Sequence, residues 1–117
     1  MSKTILVAED SASVRKFIVL ALKLKGYNVI AVEDGMVALE TFSKEKIDLL
    51  LTDLNMPNMD GLEALKKIRE HDQNCKIVIV SAMGQKPFIK DAMVLGAKSF
   101  ILKPFKEDHV VKTLNRI

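Results

Sequence analysis

The sequence predicts an α/β protein with a doubly wound, five-stranded parallel sheet and helices on both of its faces. Short apolar runs that suit buried strands alternate with longer segments in which apolar residues recur at helical spacing. The strand runs are continuously apolar instead of alternating with polar residues, which is typical of parallel strands covered on both faces. We therefore expect residues 1–117 to form a single domain.

The elements follow one another in regular alternation. The predicted strands are Thr4–Ala8, Asn28–Val32, Ile47–Thr52, Lys76–Val80 and Ser99–Leu102. The first helix begins after an N-cap at Ser11 or Ser13 and ends at Gly26. The later helices are expected to open at Asp34–Gly35, to cover Gly61–Arg69, to run from Pro87 to Gly96, and to cover Glu107–Ile117. Their inward faces are predicted to carry Phe17, Ile18, Leu22, Phe42, Leu65, Ile68, Ile89, Met93, Val110 and Leu114.

Composition excludes several classes of protein. Hydrophobic residues make up 49% of the 117 residues and charged residues 28%, which indicates a folded, soluble domain and not a disordered chain. The longest apolar stretch, Phe17–Leu24, contains Lys23, so we expect no membrane span. We expect no signal peptide, because the start MSKTILVAEDS reaches acids within ten residues. Cys75 is the single cysteine, which excludes an internal disulfide and a thiolate metal cluster. We expect a cytoplasmic protein. We do not expect it to bind nucleic acid, because the net charge of +3 is spread over scattered lysines.

Polar residues follow four of the predicted strands. Glu9 and Asp10 come after the first, Asp53 after the third, Ser81 after the fourth and Lys103 after the fifth. Ligands of such sheets bind beyond the carboxyl ends of the strands, so we expect these side chains to meet at one edge. A carboxylate placed directly after a run of leucines is disfavoured unless something compensates its charge. A divalent cation and a lysine would supply that compensation.

This set of side chains predicts phosphoryl chemistry assisted by magnesium. Carboxylate and carbonyl oxygens are the ligands that Mg²⁺ prefers, and the lack of sulfur or imidazole disfavours zinc and copper. Asp53 can then act as a nucleophile toward phosphorus and form an aspartyl phosphate. The cation and Lys103 would hold the charge on the transferring oxygens, and the Ser81 hydroxyl can hydrogen-bond an incoming oxygen.

Four stretches carry a family resemblance, namely ILVAEDS, LLLTDLNMPNMDGLEAL, IVIVSAMG and GAKSFILKPF. Together and in this order they resemble the receiver domain of response regulators, and the resemblance covers essentially the whole chain. It implies the flavodoxin-like strand order 2-1-3-4-5. It also implies a role in two-component signal transduction, with a sensor histidine kinase as the phosphodonor.

The resemblance further implies which residues form the metal site. Asp53 would be the phosphoacceptor. The side chains of Asp10 and Asp53 and the backbone carbonyl of Asn55 would bind Mg²⁺, with Mn²⁺ as a possible substitute. Glu9 would act through a coordinated water, and it stands where many members of the family have Asp. The longer side chain makes the metal geometry the point at which this chain departs from the family.

The remaining roles implied by the resemblance concern the switch. Lys103 would contact the phosphoryl group, and its bond to Pro104 corresponds to a cis peptide of the family. Ser81 and Phe100 stand at the positions of the switch hydroxyl and the switch aromatic. Simpler interpretations remain open from the residues alone. The acids after the first strand suit a helix N-terminus, Ser81 can bond the backbone at a strand end, and Phe100 can belong to the core.

Because the chain ends right after its last predicted helix, we expect no output domain, and the output would then be binding to another protein. We also expect a monomer. Its length and the segment SAMGQ resemble stand-alone chemotaxis regulators, which bind a flagellar motor switch protein. Two alternatives are a phosphorelay carrier that passes the group to a histidine phosphotransfer protein, and a receiver domain belonging to a longer regulator. The chain would catalyse its own phosphorylation and dephosphorylation yet act as a signalling switch. A hydrolase that uses an aspartyl phosphate is disfavoured because its Asp-x-Asp motif is absent: Asp53 is followed by Leu54 and Asn55. A P-loop nucleotide enzyme is disfavoured because the sequence contains no P-loop motif.

Overall fold

The computed structural model describes residues 3–53, 61–72, 74–81, 86–103 and 105–115. The strands are Thr4–Ala8 (β1), Asn28–Val32 (β2), Leu49–Asp53 (β3), Lys76–Ser81 (β4) and Ser99–Leu102 (β5). The helices are Ala12–Leu24 (α1), Gly35–Lys44 (α2), Gly61–His71 (α3), Lys86–Val94 (α4) and Glu107–Asn115 (α5). None of the helices in these described ranges has both the length and the apolar character needed to cross a membrane.

The strands form one parallel sheet in the order β2-β1-β3-β4-β5, which confirms the predicted architecture. The chain winds outward from β1 to one side and then from β3 to the other, so the order reverses between these two central strands. Ala8 pairs with Thr52, Asp53 with Val80, and Ser81 with Leu102. This register brings the carboxyl ends of β1, β3, β4 and β5 to the same edge of the sheet, which we call the carboxyl edge.

The core consists of two apolar clusters, one on each face of the sheet. On the face covered by α1 and α5, the cluster contains Ile5, Val7, Ile18, Leu22, Leu49, Leu51, Val78, Val80, Ile101, Val110 and Leu114. On the face covered by α2, α3 and α4, it includes Leu6, Ala8, Phe42, Leu50, Leu65, Ile68, Ile77, Ile79, Ile89 and Ala92. Alternate residues of a strand therefore enter opposite clusters, as the pleat of a strand requires. The central strands are buried on both faces, whereas the outer strand β2 is only partly buried.

The helix caps and turns use the residue types that are expected from the sequence. Ser11 is the N-cap of α1, and its hydroxyl accepts a hydrogen bond from the amide of Val14 at 3.4 Å. Asp34 caps α2 in the same way by accepting from the amide of Val37 at 2.9 Å. Gly26 lies just after α1 and has a φ of 90°. Residues with a Cβ rarely adopt this left-handed backbone conformation.

Two residues predicted for inward faces are instead substantially exposed, so those predictions were wrong. Phe17 is 42% exposed and Met93 is 41% exposed. In α1 the buried line runs through Ile18, Ala21 and Leu22, which leaves Phe17 at its margin. There its ring packs edge-on against Phe105, with ring centroids 6.0 Å apart. A helical spacing of apolar residues identifies the buried face but not its width, because that width is set by the neighbouring helices.

Candidate functional site

Three carboxylates meet at the carboxyl edge of the sheet. Glu9 and Asp10 directly follow β1, and Asp53 is the last residue of β3. One carboxylate oxygen from each lies within 4.8 Å of the others. Glu9 and Asp53 are buried, whereas Asp10 is exposed. Like charges so close together repel one another, and the burial of two of them makes the repulsion harder for water to screen.

Lys103, which directly follows the outer strand β5, contacts two of these acids. Its Nζ donates a hydrogen bond to Asp53 Oδ2 at 2.8 Å and forms an ion pair with Glu9 Oε1, also at 2.8 Å. The second oxygen of Glu9, Oε2, accepts from the backbone amide of Ser11 at 2.9 Å. Among the residues that the structure describes, one ammonium group thus faces a cluster of three carboxylates, so these residues carry an excess of negative charge.

The pKa values show the same imbalance. Burial raises the pKa of Glu9 to about 7, although the bonds from Lys103 and from the Ser11 amide act in the opposite direction. The charge of Asp53 raises it further. For Lys103, burial acts to lower the pKa, but the close contacts of its ammonium with the carboxylates of Asp53 and Glu9 outweigh burial, so the pKa is raised. The lysine therefore stays charged, and one of the acids that it contacts lacks full compensation.

The donor set fits a hard divalent cation. All three side chains offer oxygen, and Glu9 Oε1 accepts no hydrogen bond of good geometry among the described residues despite its ion pair. Ligand oxygens at magnesium distances from one ion lie at most about 4 Å apart, so a small side-chain adjustment would bring these oxygens into range. Asp10 is exposed and therefore has room to make that adjustment. The fourth predicted ligand, Asn55, lies outside the described residues, as does Pro104 of the predicted cis peptide.

Ser81 and Phe100 lie on a different face from the acids. Ser81 is fully buried, and its carbonyl accepts a hydrogen bond from the amide of Lys103 at 2.8 Å. Strand alternation places its side chain on the face of Ile77 and Ile79, the face covered by α4. Phe100 lies two residues before Leu102, which packs against that same cluster. Phe100 is 42% exposed, so the interpretation of this residue as ordinary core is wrong.

One residue near the acids is not among the site residues predicted from the sequence. Arg15, in the first half of α1, donates from Nη1 to the carbonyl of Glu9 at 2.7 Å and to that of Asp10 at 3.4 Å. A basic residue on the helix that follows an acidic pair is a signal that could have drawn attention to it. In a sequence, however, such a residue looks the same as the exposed Lys16 beside it.

Comparisons with known proteins agree with this geometry. The model of the response regulator receiver domain matches residues 5–115. The chemotaxis protein CheY of Bacillus subtilis is 40% identical over 117 residues, covering 99% of this chain and 98% of that protein. Sporulation initiation phosphotransferase F of the same organism is 33% identical over 110 residues, covering 94% of this chain and 89% of that protein.

A solved structure extends the likeness to three dimensions. The chemotaxis response regulator CheY4 of Vibrio cholerae matches with a TM-score of 0.92 at 29% identity, covering 99% of this chain and 98% of that one. Sheet order, acidic edge and sequence similarity over nearly the full length of these relatives lead to one assignment. The chain belongs to the response regulator receiver domain family of two-component signal transduction.

Proposed function

We propose that this chain is a phosphorylation-dependent switch that accepts a phosphoryl group on Asp53 from a sensor histidine kinase. The observation that carries the proposal is the hydrogen bond of 2.8 Å between Lys103 Nζ and Asp53 Oδ2, at the edge where Glu9 and Asp10 also converge. A buried acid held beside a lysine ammonium and two further acids is costly for stability alone. This arrangement is useful if Asp53 has to react while the neighbouring lysine and acids offset or bind the charged groups of the reaction.

The chemistry follows from these positions. A carboxylate oxygen of Asp53 attacks phosphorus, the bond from phosphorus to the histidine nitrogen of the donor breaks, and the leaving imidazole takes up a proton. The product is an acyl phosphate on Asp53. Lys103 is already within hydrogen-bonding distance of the attacking group and donates to the phosphoryl oxygens as they arrive. A magnesium ion held by Asp10, Asp53 and the Asn55 carbonyl, with Glu9 acting through a water, would offset charge on the transferring oxygens.

The switch itself involves Ser81 and Phe100. A phosphoryl group on Asp53 adds charge and acceptor oxygens that need new donors, and the Ser81 hydroxyl is a donor at the end of the neighbouring strand. When Ser81 moves toward the phosphoryl group, it leaves space on the face that carries α4. Phe100 lies on that same face and can turn inward to fill the space. The altered surface then comprises α4, β5 and α5.

The output that we propose is phosphorylation-dependent binding to a flagellar motor switch protein in chemotaxis. The support is similarity to proteins named for that process, among them CheY of Bacillus subtilis and CheY of Thermotoga maritima, the latter 37% identical over 118 residues. A phosphorelay carrier is the second candidate, because sporulation initiation phosphotransferase F is also similar over most of its length.

Phosphorylation is tested by incubating the protein with acetyl phosphate and Mg²⁺ and measuring intact mass. We expect the wild type to gain one phosphoryl group and Asp53→Asn to gain none, since an amide cannot form the acyl phosphate. Asp108→Asn is the matched control, because it removes an exposed acid of α5 that pairs only loosely with Lys112 at 3.7 Å. Labelling of Asp53→Asn equal to that of the wild type would contradict the assignment of the acceptor.

The output is tested with phosphorylated protein and two candidate partners from the same organism. Phosphorylation-dependent retention by a flagellar motor switch protein, without loss of the phosphoryl group to it, supports the chemotaxis role. Transfer of the group to the histidine of a phosphotransfer protein supports the relay role instead. Failure with both partners contradicts both outputs, and a receiver domain of a longer regulator then becomes the better explanation.

A further inference from the structure

We propose that Arg15 is a positioning residue of the acidic site: its guanidinium fixes the β1–α1 turn so that Glu9 and Asp10 face Asp53. Glu9 is buried and Asp10 is exposed, yet a carboxylate oxygen of each lies within 4.8 Å of the other and of one from Asp53. Convergence of that kind requires a turn of defined shape. The inference deepens the proposed function, because it concerns how the cation site of that function is built.

The contacts of Arg15 link the helix to the turn. Its backbone amide donates to the carbonyl of Ser11 at 2.9 Å, so the base of the side chain is fixed within α1. Its Nη1 donates to the carbonyls of Glu9 and Asp10, at 2.7 Å and 3.4 Å. The side chain is partly buried along this path. It therefore spans from the rigid helix back to the two residues whose carboxylates form the site.

The other groups of Glu9 are held by the surrounding structure. Its amide donates to the carbonyl of Val32 at 3.1 Å, and its Oε2 accepts from the amide of Ser11 at 2.9 Å. Arg15 binds the carbonyl of Glu9, which completes the fixing of its peptide units. Groups that hold metal ligands from behind commonly change metal affinity by about 10- to 100-fold when they are removed. Arg15 has the geometry of such a group, although it binds the backbone of the ligands and not their side chains.

The charge of Arg15 and its contacts with the turn are expected to affect metal binding in opposite directions, so the two effects can be separated. A cation close to the site repels a divalent ion, so loss of the arginine charge alone would tighten metal binding. Loss of the turn geometry would weaken it. Arg15→Lys separates the two effects further, because it keeps the charge but its shorter, non-planar head cannot reproduce the guanidinium contacts.

The experiment measures Mn²⁺ binding to the whole unphosphorylated chain by the electron paramagnetic resonance signal of the free ion. We expect Arg15→Gln and Arg15→Lys each to weaken Mn²⁺ binding by about 10-fold or more. Lys16→Gln is the matched control, since it removes the same charge from the next, exposed position of α1, and its affinity should stay within about twofold of the wild type. Raising the Mg²⁺ concentration should restore the rate of phosphorylation by acetyl phosphate in the Arg15 variants.

Amide spectra of the metal-free proteins provide a second readout that needs no cation. We expect the amide resonances of Asp10 and Ser11 to shift in both Arg15 variants and to stay in place in Lys16→Gln. Tight binding by Arg15→Gln together with unshifted resonances would overturn the positioning role. A wild type that binds no Mn²⁺ would contradict the proposed function, and the amide spectra would then still decide the role of Arg15.

Discussion

The two ends of the sheet use charged residues in opposite ways. At the carboxyl edge, the buried acids Glu9 and Asp53 are held against each other and against Lys103, with ion-pair distances of 2.8 Å. At the other end, which we call the amino edge, charged side chains bind backbone groups. Asp48 Oδ2 accepts from the amide of Thr4 at 2.8 Å, and the amide of Asp48 donates to the carbonyl of Thr4 at 2.9 Å.

Arg69 shows the amino-edge pattern most fully. From the last turn of α3 it donates Nε to the carbonyl of Leu95 at 3.1 Å and Nη2 to that of Gly96 at 2.9 Å, both just after α4. Its Nη1 donates to the carbonyl of Cys75 at 2.7 Å, just before β4. One planar side chain thus joins α3 to two other segments of backbone, the one after α4 and the one before β4.

The difference teaches how to separate structural from functional charge. Charges at the amino edge make hydrogen bonds with neutral backbone groups of segments that are distant in the chain, so they add stability. Charges at the carboxyl edge are concentrated and only partly compensated, which lowers stability but leaves the site ready to take up a cation and a phosphoryl group. Substitutions at the two ends should therefore separate stability from activity.

The largest effect on stability is expected from Arg69→Met. Loss of the charged donor leaves three backbone carbonyls without this partner and should lower the free energy of unfolding by about 3 kcal/mol. Chemical denaturation measures the change. Lys67→Met on the same helix is the control, because the pair of Lys67 with Glu63 is exposed and long, at 4.0 Å, and its loss should change the free energy of unfolding by less than about 0.5 kcal/mol. Below its unfolding transition, Arg69→Met should still be phosphorylated by acetyl phosphate at the wild-type rate.

Lys103→Met should have the next largest effect, and magnesium should reverse it. Without the ammonium, Glu9 and Asp53 lose the cation that contacts both of them, which should lower the free energy of unfolding by about 2 kcal/mol. A divalent ion binds between the same acids, so saturating Mg²⁺ should restore most of the loss. Denaturation with and without Mg²⁺ measures this difference. If Mg²⁺ stabilised Lys103→Met no more than it stabilised Arg69→Met, the contrast between the two edges would be lost.

Cys75 gives a smaller effect that depends on pH. Burial, together with repulsion from Asp72, raises the pKa of the Cys75 thiol from 9.0 to about 11. The folded protein holds this proton more tightly than the unfolded chain, so the associated stability is complete below pH 9 and is lost as pH rises through 11. At pH 10 the advantage of the wild type over Cys75→Ala should be smaller than at pH 8 by about 1 kcal/mol. A constant difference from pH 8 to pH 10 would show that the thiol has an ordinary pKa.

The smallest effect is expected from Asp48→Asn. The amide oxygen of Asn can still accept from the Thr4 amide, so the loss should be about 0.5 kcal/mol and reflects only the weaker, uncharged acceptor. Phosphorylation should not change. A loss of phosphorylation in this variant, measured by intact mass, would show that the amino edge takes part in the reaction.

Much of the fold could be predicted from the sequence because local rules decide it. Continuous apolar runs identified the strands to within two residues, as with Ile47–Thr52 against the observed Leu49–Asp53. Ser11, Asp34 and Gly26 were recognisable as caps because their preferences act over one turn of chain. The exposure of Phe17 was not predictable, because it depends on how closely α5 approaches α1 and on the position of Phe105.

The sequence by itself determined which residues end the strands, and hence that Glu9, Asp10, Asp53, Ser81 and Lys103 belong to one edge of a parallel sheet. Strand periodicity and the rule for parallel sheets are sufficient for that. Only the tertiary structure decided that Lys103 bridges Glu9 and Asp53, that the pKa of Glu9 rises to about 7, and that Arg15 reaches back to the turn. These features depend on distances of a few ångströms between residues far apart in the chain, and on the exclusion of water around them, which packing alone sets.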